Sequence, residues 1–300
     1  MHHIIILLHK YDTFEESRYF LHAIADIWRA EGLRVSVLNG PGPYVDADLA
    51  IMHVDLTMVP ADYLAFVRQY PVVINGSVTD ISKRLVSTNL VCRDDGYQGQ
   101  VIVKSNQNCG GSREVRVARM RTLLGRYNQS LREEPRLARM RSLLHRYYQS
   151  LRDKLPSISR TGPSISDYAI FESTSQVPRV VWENPDLVVE RFLPERHEGL
   201  YCLRSWVFLG DRETNAMGYS LQPIVKSGNV VRREVVAEVP EELRQMRRNL
   251  GFDFGKFDYV IVDGQVVLYD ANRTPILGSL SKDKFMPNIR LLAKGIYAFL

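Results

Sequence analysis

The sequence predicts a mixed α/β (α+β) fold, with an open, mostly parallel α/β layer first and a strand-rich half after it. Three observations predict this. Residues 4–75 alternate short apolar runs with amphipathic stretches at the pitch of βαβ units. Near the C-terminus, the apolar run 259–262 and the β-branched and aromatic run 265–269 flank Asp263-Gly264, a dipeptide suited to the φ > 0 positions of a two-residue hairpin loop. Between these halves lies a tandem repeat of period 20, in which VARMRTLLGRYNQSLRE (117–133) is copied as LARMRSLLHRYYQSLRD (137–153).

In chain order, residues 4–8 form a buried strand. Residues 15–31 carry helical periodicity through Phe20, Leu21, Ile24, Ile27 and Trp28, and Gly32 ends them. Strands at 33–38, 48–53 and 72–75, with a helix at 61–69, complete a layer of about 90 residues. A short helix at 80–86 and a strand at 100–104 come next. In the repeat, Val117, Met120, Leu123, Leu124, Tyr127 and Leu131 follow helical spacing, as do their copies. Twenty residues is not a whole number of turns and Pro135 sits at a natural helix start, so a helical hairpin is the simplest arrangement. Beyond a Pro/Ser-rich link at 155–166, strands are expected at 187–195, 203–211 and 218–225. A cationic loop at 226–233, a helix at 241–250, the hairpin at 257–275 and an amphipathic helix at 287–300 close the chain.

Composition narrows the functional classes. An apolar content of 45% with 24% charged residues is that of an ordinary globular protein. Cys92, Cys109 and Cys202 form no CxxC and no metal-ligand spacing, which predicts a reducing, cytoplasmic setting. The apolar run 4–8 is too short for a signal or membrane helix. The formal charge of +5 is unevenly placed. Residues 112–154 hold eleven Arg and one Lys against Glu114, Glu133, Glu134 and Asp153, giving +8 there and −3 for the remainder. These arginines form either a solvated face or a docking surface for an acidic peptide or protein. Nucleic acid fits less well, because only tyrosines interleave and no recognised binding module is present.

Two stretches carry chemistry. Asp258 opens the hairpin, and Asp270 and Asn272 end it two positions apart, on one face of a strand. Three hard oxygen ligands on a rigid hairpin suit Mg²⁺, whose remaining positions are commonly shared with nucleotide phosphates. Earlier, the strand ending in Lys104 runs into SNQNCGGS, a loop of small and amide residues whose N–H groups can close on phosphate. The histidines have no partner Asp or Ser at a telling spacing, so a catalytic triad is not supported.

In order, QVIVKSNQNCGG, LVVERFLPE, LRSWVFLGD, SGNVVRR and GFDFGKFDYVIVDGQVVLYDANRTP resemble the ATP-grasp superfamily from about residue 82 to 300. The similar members are carboxylate–amine ligases such as D-alanine–D-alanine ligase, glutathione synthetase and the ribosomal-protein glutamate ligases. The resemblance implies a pre-ATP-grasp α/β domain at 1–81, an N-terminal grasp lobe at 82–189 with a helical-hairpin insertion at 113–154, and a C-terminal lobe at 190–300. It implies ATP and Mg²⁺ as cofactors. Lys104 would contact the phosphates and Gly110 and Gly111 would cover them. Glu190, Arg191, Phe192 and Leu193 would form the adenine hinge, with Glu190 accepting from the adenine amino group. Glu195 or Glu198 would hold the ribose. Asp258, Asp270 and Asn272 would hold Mg²⁺, and Arg204 with Arg232 or Arg233 would stabilise the transferring phosphate. The pattern departs in places: many relatives carry Glu where Asp270 stands, the earlier phosphate-binding lysine has only Lys83 as a candidate, and the hairpin insertion is unusual.

The implied reaction is ADP-forming ligation. ATP converts a small-molecule or peptide carboxylate to an acyl-phosphate, which an amine then attacks, while the protein aligns oxygens and neutralises charge. The alternatives are an ATP-grasp kinase acting on a hydroxyl, or a non-catalytic nucleotide-binding protein whose basic hairpin docks an acidic partner. No membrane association is expected, and a homodimer is compatible with the reading.

Overall fold

The computed structural model describes residues 2–14, 18–133, 168–277 and 282–300. It divides into two compact units, one of residues 1–111 with 168–300 and one of residues 112–167.

The first unit opens with β1 (His3–Leu8), α1 (Phe20–Ala30), β2 (Arg34–Asn39), β3 (Leu49–Met52), α2 (Ala61–Val67) and β4 (Val72–Ile74). The four strands form an all-parallel sheet in the order β2-β1-β3-β4. β1 and β3 are buried along their whole length, as expected of central parallel strands covered on both faces. α3 (Lys83–Val86) and β5 (Val101–Ser105) follow.

After α4 (Ser112–Glu133), which belongs to the second unit, come β6 (Ala169–Phe171), α5 (Arg179–Glu183) and β7 (Leu187–Arg191). β6, β5 and β7 make a three-stranded antiparallel sheet. β8 (Glu195–His197), β9 (Leu200–Leu209), β10 (Arg212–Ser220), β11 (Arg232–Val235), α6 (Glu241–Leu250), β12 (Phe254–Val262), β13 (Gln265–Asn272) and α7 (Lys282–Ala293) complete the chain. Their strands form a six-stranded sheet in the order β11-β10-β9-β12-β13, with β8 also on β9.

α6 shows how locally consistent this half is. Pro240 precedes it, Glu241 and Glu242 fill its first turn, Arg247 and Arg248 its last, and Gly251 follows at φ 71°. Each choice suits the helix dipole or the left-handed C-cap. The parallel layer is tied to this half through Asn75, fully buried at φ 61°. Its N–H donates to Asp253 Oδ2 at 2.7 Å, and its amide oxygen accepts from the N–H groups of Asp253 and Phe254. One core joins Ile4, Ile6, Ile24 and Trp28 with Val207, Phe254, Ile289 and Leu292.

Several expected boundaries move. The helix expected at 15–31 is described from Phe20, because Tyr19 is taken into an antiparallel bridge with Ile276; residues 15–17 lie outside the described residues. The helix expected at 80–86 begins at Lys83, since Asp80 turns back to accept the Ser82 N–H. The strand expected at 218–225 is instead Arg212–Ser220. It pairs antiparallel with β9 through a tight turn at Gly210, where an added Cβ would lie 2.5 Å from the Gly295 carbonyl oxygen. Pro223, which has no N–H to donate, lies beyond its end. The cationic loop at 226–233 runs into β11, and the 187–195 strand is broken between β7 and β8. The last helix does not start at Pro287 but spans Lys282–Ala293 with that proline inside, and Lys294–Ala298 tighten into a 3₁₀ turn. The first repeat copy is one continuous helix, α4. The second copy at 137–153, and with it the expected hairpin, lies outside the described residues.

Candidate active site

The three-stranded and six-stranded sheets flank a cleft of about 170 Å³. Its lining combines apolar side chains, among them Ile102, Phe192, Leu203, Ile224 and Val260, with the charged Lys83, Lys104, Lys226, Asp258 and Asp270.

The three-stranded wall contributes a lysine–carboxylate pair. Lys104 on β5 and Glu190 on β7 reach each other because Ile102 pairs with Glu190 and residues two apart share a face. Lys104 Nζ lies 2.5 Å from Glu190 Oε2, and Glu190 is fully buried. The other oxygen, Glu190 Oε1, is buried with no hydrogen-bond partner among the described residues. Lys104 Nζ also sits 4.4 Å from the Tyr269 ring centroid. Burial, then the nearby Glu190 charge, raises the Tyr269 pKa and keeps it a phenol, whose hydroxyl donates to the Leu193 carbonyl at 2.6 Å.

The six-stranded wall brings the acidic hairpin. Asp258 and Asp270 are direct cross-strand partners, and the ladder bulges between Asp258 and Tyr259. Two like charges placed opposite each other repel, and two lysines offset them. Lys256 Nζ lies 2.7 Å from Asp258 Oδ2, and Lys83 Nζ lies 3.2 Å from Asp270 Oδ1. Burial disfavours both ammonium ions, but attraction to Asp258 and to Asp270 respectively outweighs it, so both lysine pKa values are raised. Ser205 Oγ donates to Asp258 Oδ1 at 2.6 Å. Asn272 Oδ1 accepts from the Thr274 N–H at 2.8 Å.

The glycine loop meets the same region through Lys83, which also holds Asp270. Cys109, Gly110 and Gly111 have φ of 48°, 64° and 73° in succession, a path that glycine follows at no steric cost and cysteine rarely adopts. Its neighbour Asn108 donates its N–H to Thr57 Oγ1 at 2.9 Å, and Lys83 Nζ reaches the Gln107 carbonyl at 3.3 Å. Arg273, next to Asn272 and fully buried, donates to the carbonyls of Val54, Leu56, Thr57 and Val78. Loop and hairpin are thus both fastened to residues 54–57.

The other expected site residues divide. Phe192 lines the cleft and gives its N–H to the Gln100 carbonyl. Arg191 is exposed and stacks on Tyr97. Glu195 and Arg204 are joined to each other, with Arg204 Nε and Nη2 at 2.6–3.0 Å from the carboxylate, which also accepts the Ile261 N–H. Hydrogen bonding to Glu195 raises the Arg204 pKa further. Glu198 pairs with Arg232 at 2.9 Å on the surface. Arg232 and Arg233 line a separate groove of about 500 Å³ rather than the cleft. Sequence reasoning missed Lys256 and Ser205. The signal for Lys256 was present: it stands two residues before Asp258 on one strand and therefore on the same face.

The structure is similar over nearly its whole length to solved ATP-grasp ligases. A RimK domain protein ATP-grasp from Sphaerobacter thermophilus is 12% identical, with 98% of each chain covered and a TM-score of 0.49. D-alanine–D-alanine ligase from Bacillus anthracis complexed with ATP is 10% identical, with 100% of this chain and 96% of that one covered and a TM-score of 0.45. A Chryseobacterium gregarium RiPP-associated ATP-grasp ligase in complex with ADP and a leader and core peptide is 8% identical, with 98% and 97% covered and a TM-score of 0.49. No protein-family model and no curated protein matches the sequence. At these values the likeness is descriptive, and the chemistry rests on the residues of the cleft. Among the described residues, no helix is long and apolar enough to cross a membrane.

Proposed function

We propose that the chain is an ATP-dependent, ADP-forming ligase that joins a carboxylate to an amine through an acyl-phosphate. The observation that carries this reading is the cleft itself, which combines apolar side chains with three lysines and two cross-strand aspartates. A nucleoside triphosphate likewise combines a flat apolar base with a polyanionic tail. In this reading the base lies by Ile102 and Phe192, its amino group donating to the buried Glu190 Oε1, which has no hydrogen-bond partner among the described residues. Lys104 and the loop at Gly110 and Gly111 hold the phosphates. Residues 1–81 form the preceding α/β domain, and 82–189 and 190–300 the two lobes.

The donor set fits Mg²⁺: Asp258, Asp270 and Asn272 offer oxygen only, and the two carboxylates are cross-strand partners. These residues would hold the cation, which when bound neutralises charge on the transferring phosphoryl group. The remaining work is the chain's own. Lys104 and Lys83 supply fixed positive charge, the apolar lining excludes water, and the ring of Tyr269 holds Lys104 in place. A carboxylate is a poor electrophile because its leaving group is oxide; phosphorylation replaces that with phosphate, and an amine then displaces it. The cleft requires no protein nucleophile. The substrates are a small-molecule or peptide carboxylate and an amine.

Incubation with Mg²⁺-ATP and pooled carboxylic acids and amino acids tests the reading. Acceptor-dependent release of ADP together with phosphate is the expected result. ADP with a phosphorylated product and no free phosphate identifies a kinase instead.

A further inference from the structure

The two aspartates of the hairpin are not equivalent. Asp258 has both oxygens engaged, Oδ1 by the Ser205 hydroxyl at 2.6 Å and Oδ2 by Lys256 Nζ at 2.7 Å. Asp270 meets Lys83 at 3.2 Å through Oδ1. The two lysines also differ in origin. Lys83 comes from α3, and its ammonium is shared with the Gln107 carbonyl beside the glycine loop. Lys256 stands on β12 itself, directly across the ladder from Asn272, two residues before Asp258. Its ammonium is therefore held on Asp258 by the strand that carries that aspartate, opposite the strand that carries Asp270 and Asn272.

Phosphoryl-transfer sites work with one or two divalent cations, and a two-cation site needs carboxylate oxygens to share between ions about 3.5–4 Å apart. Here an ammonium, a compact point charge, already sits 2.7 Å from one oxygen of Asp258. Two carboxylates faced by two lysines are formally neutral before any metal arrives, so the drive to collect two divalent ions is weak.

We propose that Lys256 stands in for a second divalent cation, so that the cleft binds one divalent ion per nucleotide. This rests on the ATP reading above. Lys256 is thereby a charge-supplying and positioning residue, fixing Asp258 while leaving one ion position shared with Asp270 and Asn272.

The test counts ions rather than turnover. Mn²⁺ is titrated into the protein saturated with the non-hydrolysable analogue AMP-PNP, and bound ion is read from the loss of the free-Mn²⁺ electron paramagnetic resonance signal. Wild type is expected to hold one Mn²⁺ per bound nucleotide. K256M, which frees the Asp258 oxygen and removes the ammonium, is expected to hold two; K256Q serves the same purpose where the methionine variant does not fold. K256R, which keeps the charge, is expected to stay at one. Two Mn²⁺ per bound nucleotide in wild type overturns this inference alone, and so does a count of one in folded K256M or K256Q. Failure of AMP-PNP to bind wild type overturns the nucleotide reading itself, and the inference with it.

Discussion

The two walls of the cleft solve the same electrostatic problem in different ways. On the three-stranded wall, one lysine meets one carboxylate: Lys104 and Glu190, with Glu190 fully buried and its second oxygen left over. On the six-stranded wall, two lysines and a serine hydroxyl meet two carboxylates in a connected array. Losing one member of an isolated buried pair strands a charge, whereas an array redistributes it. The comparison teaches which wall is fixed and which is adjustable. In the proposed function, the Lys104–Glu190 wall would present a set pattern of charge to a base and its phosphates. In the same proposal, the aspartate wall would exchange one cation for another.

The largest effect that sharpens this contrast is on turnover. D270A removes the carboxylate that Lys83 holds, and it is expected to lower kcat on the order of a thousandfold in a steady-state assay, the scale of losing a preorganised charge in a closed site. Unchanged turnover would sink the metal assignment. Next comes stability. K104M leaves the Glu190 carboxylate buried without its partner and is expected to cost about 3–5 kcal/mol in denaturant unfolding, while K104M/E190L, which replaces both charges, recovers most of that loss. If the double variant is no more stable than K104M, the pair is not the isolated unit described here. A smaller effect is expected from S205A. Loss of one hydrogen bond to a charged group costs about 1.5–3 kcal/mol where the carboxylate has no substitute donor, and less where, as at Asp258, Lys256 remains. The smallest is E198Q, which breaks an exposed pair with Arg232 and is expected to leave the unfolding midpoint unchanged.

Much of the fold was legible because its elements obey simple periods. The parallel layer follows from buried apolar runs, and α6 from its proline, acids, arginines and Gly251. The hairpin followed from Asp263-Gly264, both at positive φ. The failures have physical causes too. β10, RETNAMGYS, has little apolar alternation because its register is set by β9 and the close approach at Gly210, neither of which is a local signal. Pro287 reads as a helix start, but packing of Ile289 and Leu292 into the main core carries the helix through it. In the candidate site, the sequence singled out Lys104, Glu190, Asp258, Asp270 and Asn272 one by one, while the pairings among them and with their neighbours were not legible. Lys83 reaches Asp270 across 187 positions of sequence, and Glu195 and Arg204, given separate roles from the sequence, hold each other. Pairings of that kind depend on strand order and register.

The central claim is that the cleft is a metal-dependent ATP site. Calorimetric titration of ATP into the protein, with and without Mg²⁺, tests it most directly. The account predicts one nucleotide per chain, bound more tightly when Mg²⁺ is present. No binding in either condition, or binding at which Mg²⁺ makes no difference, would contradict it.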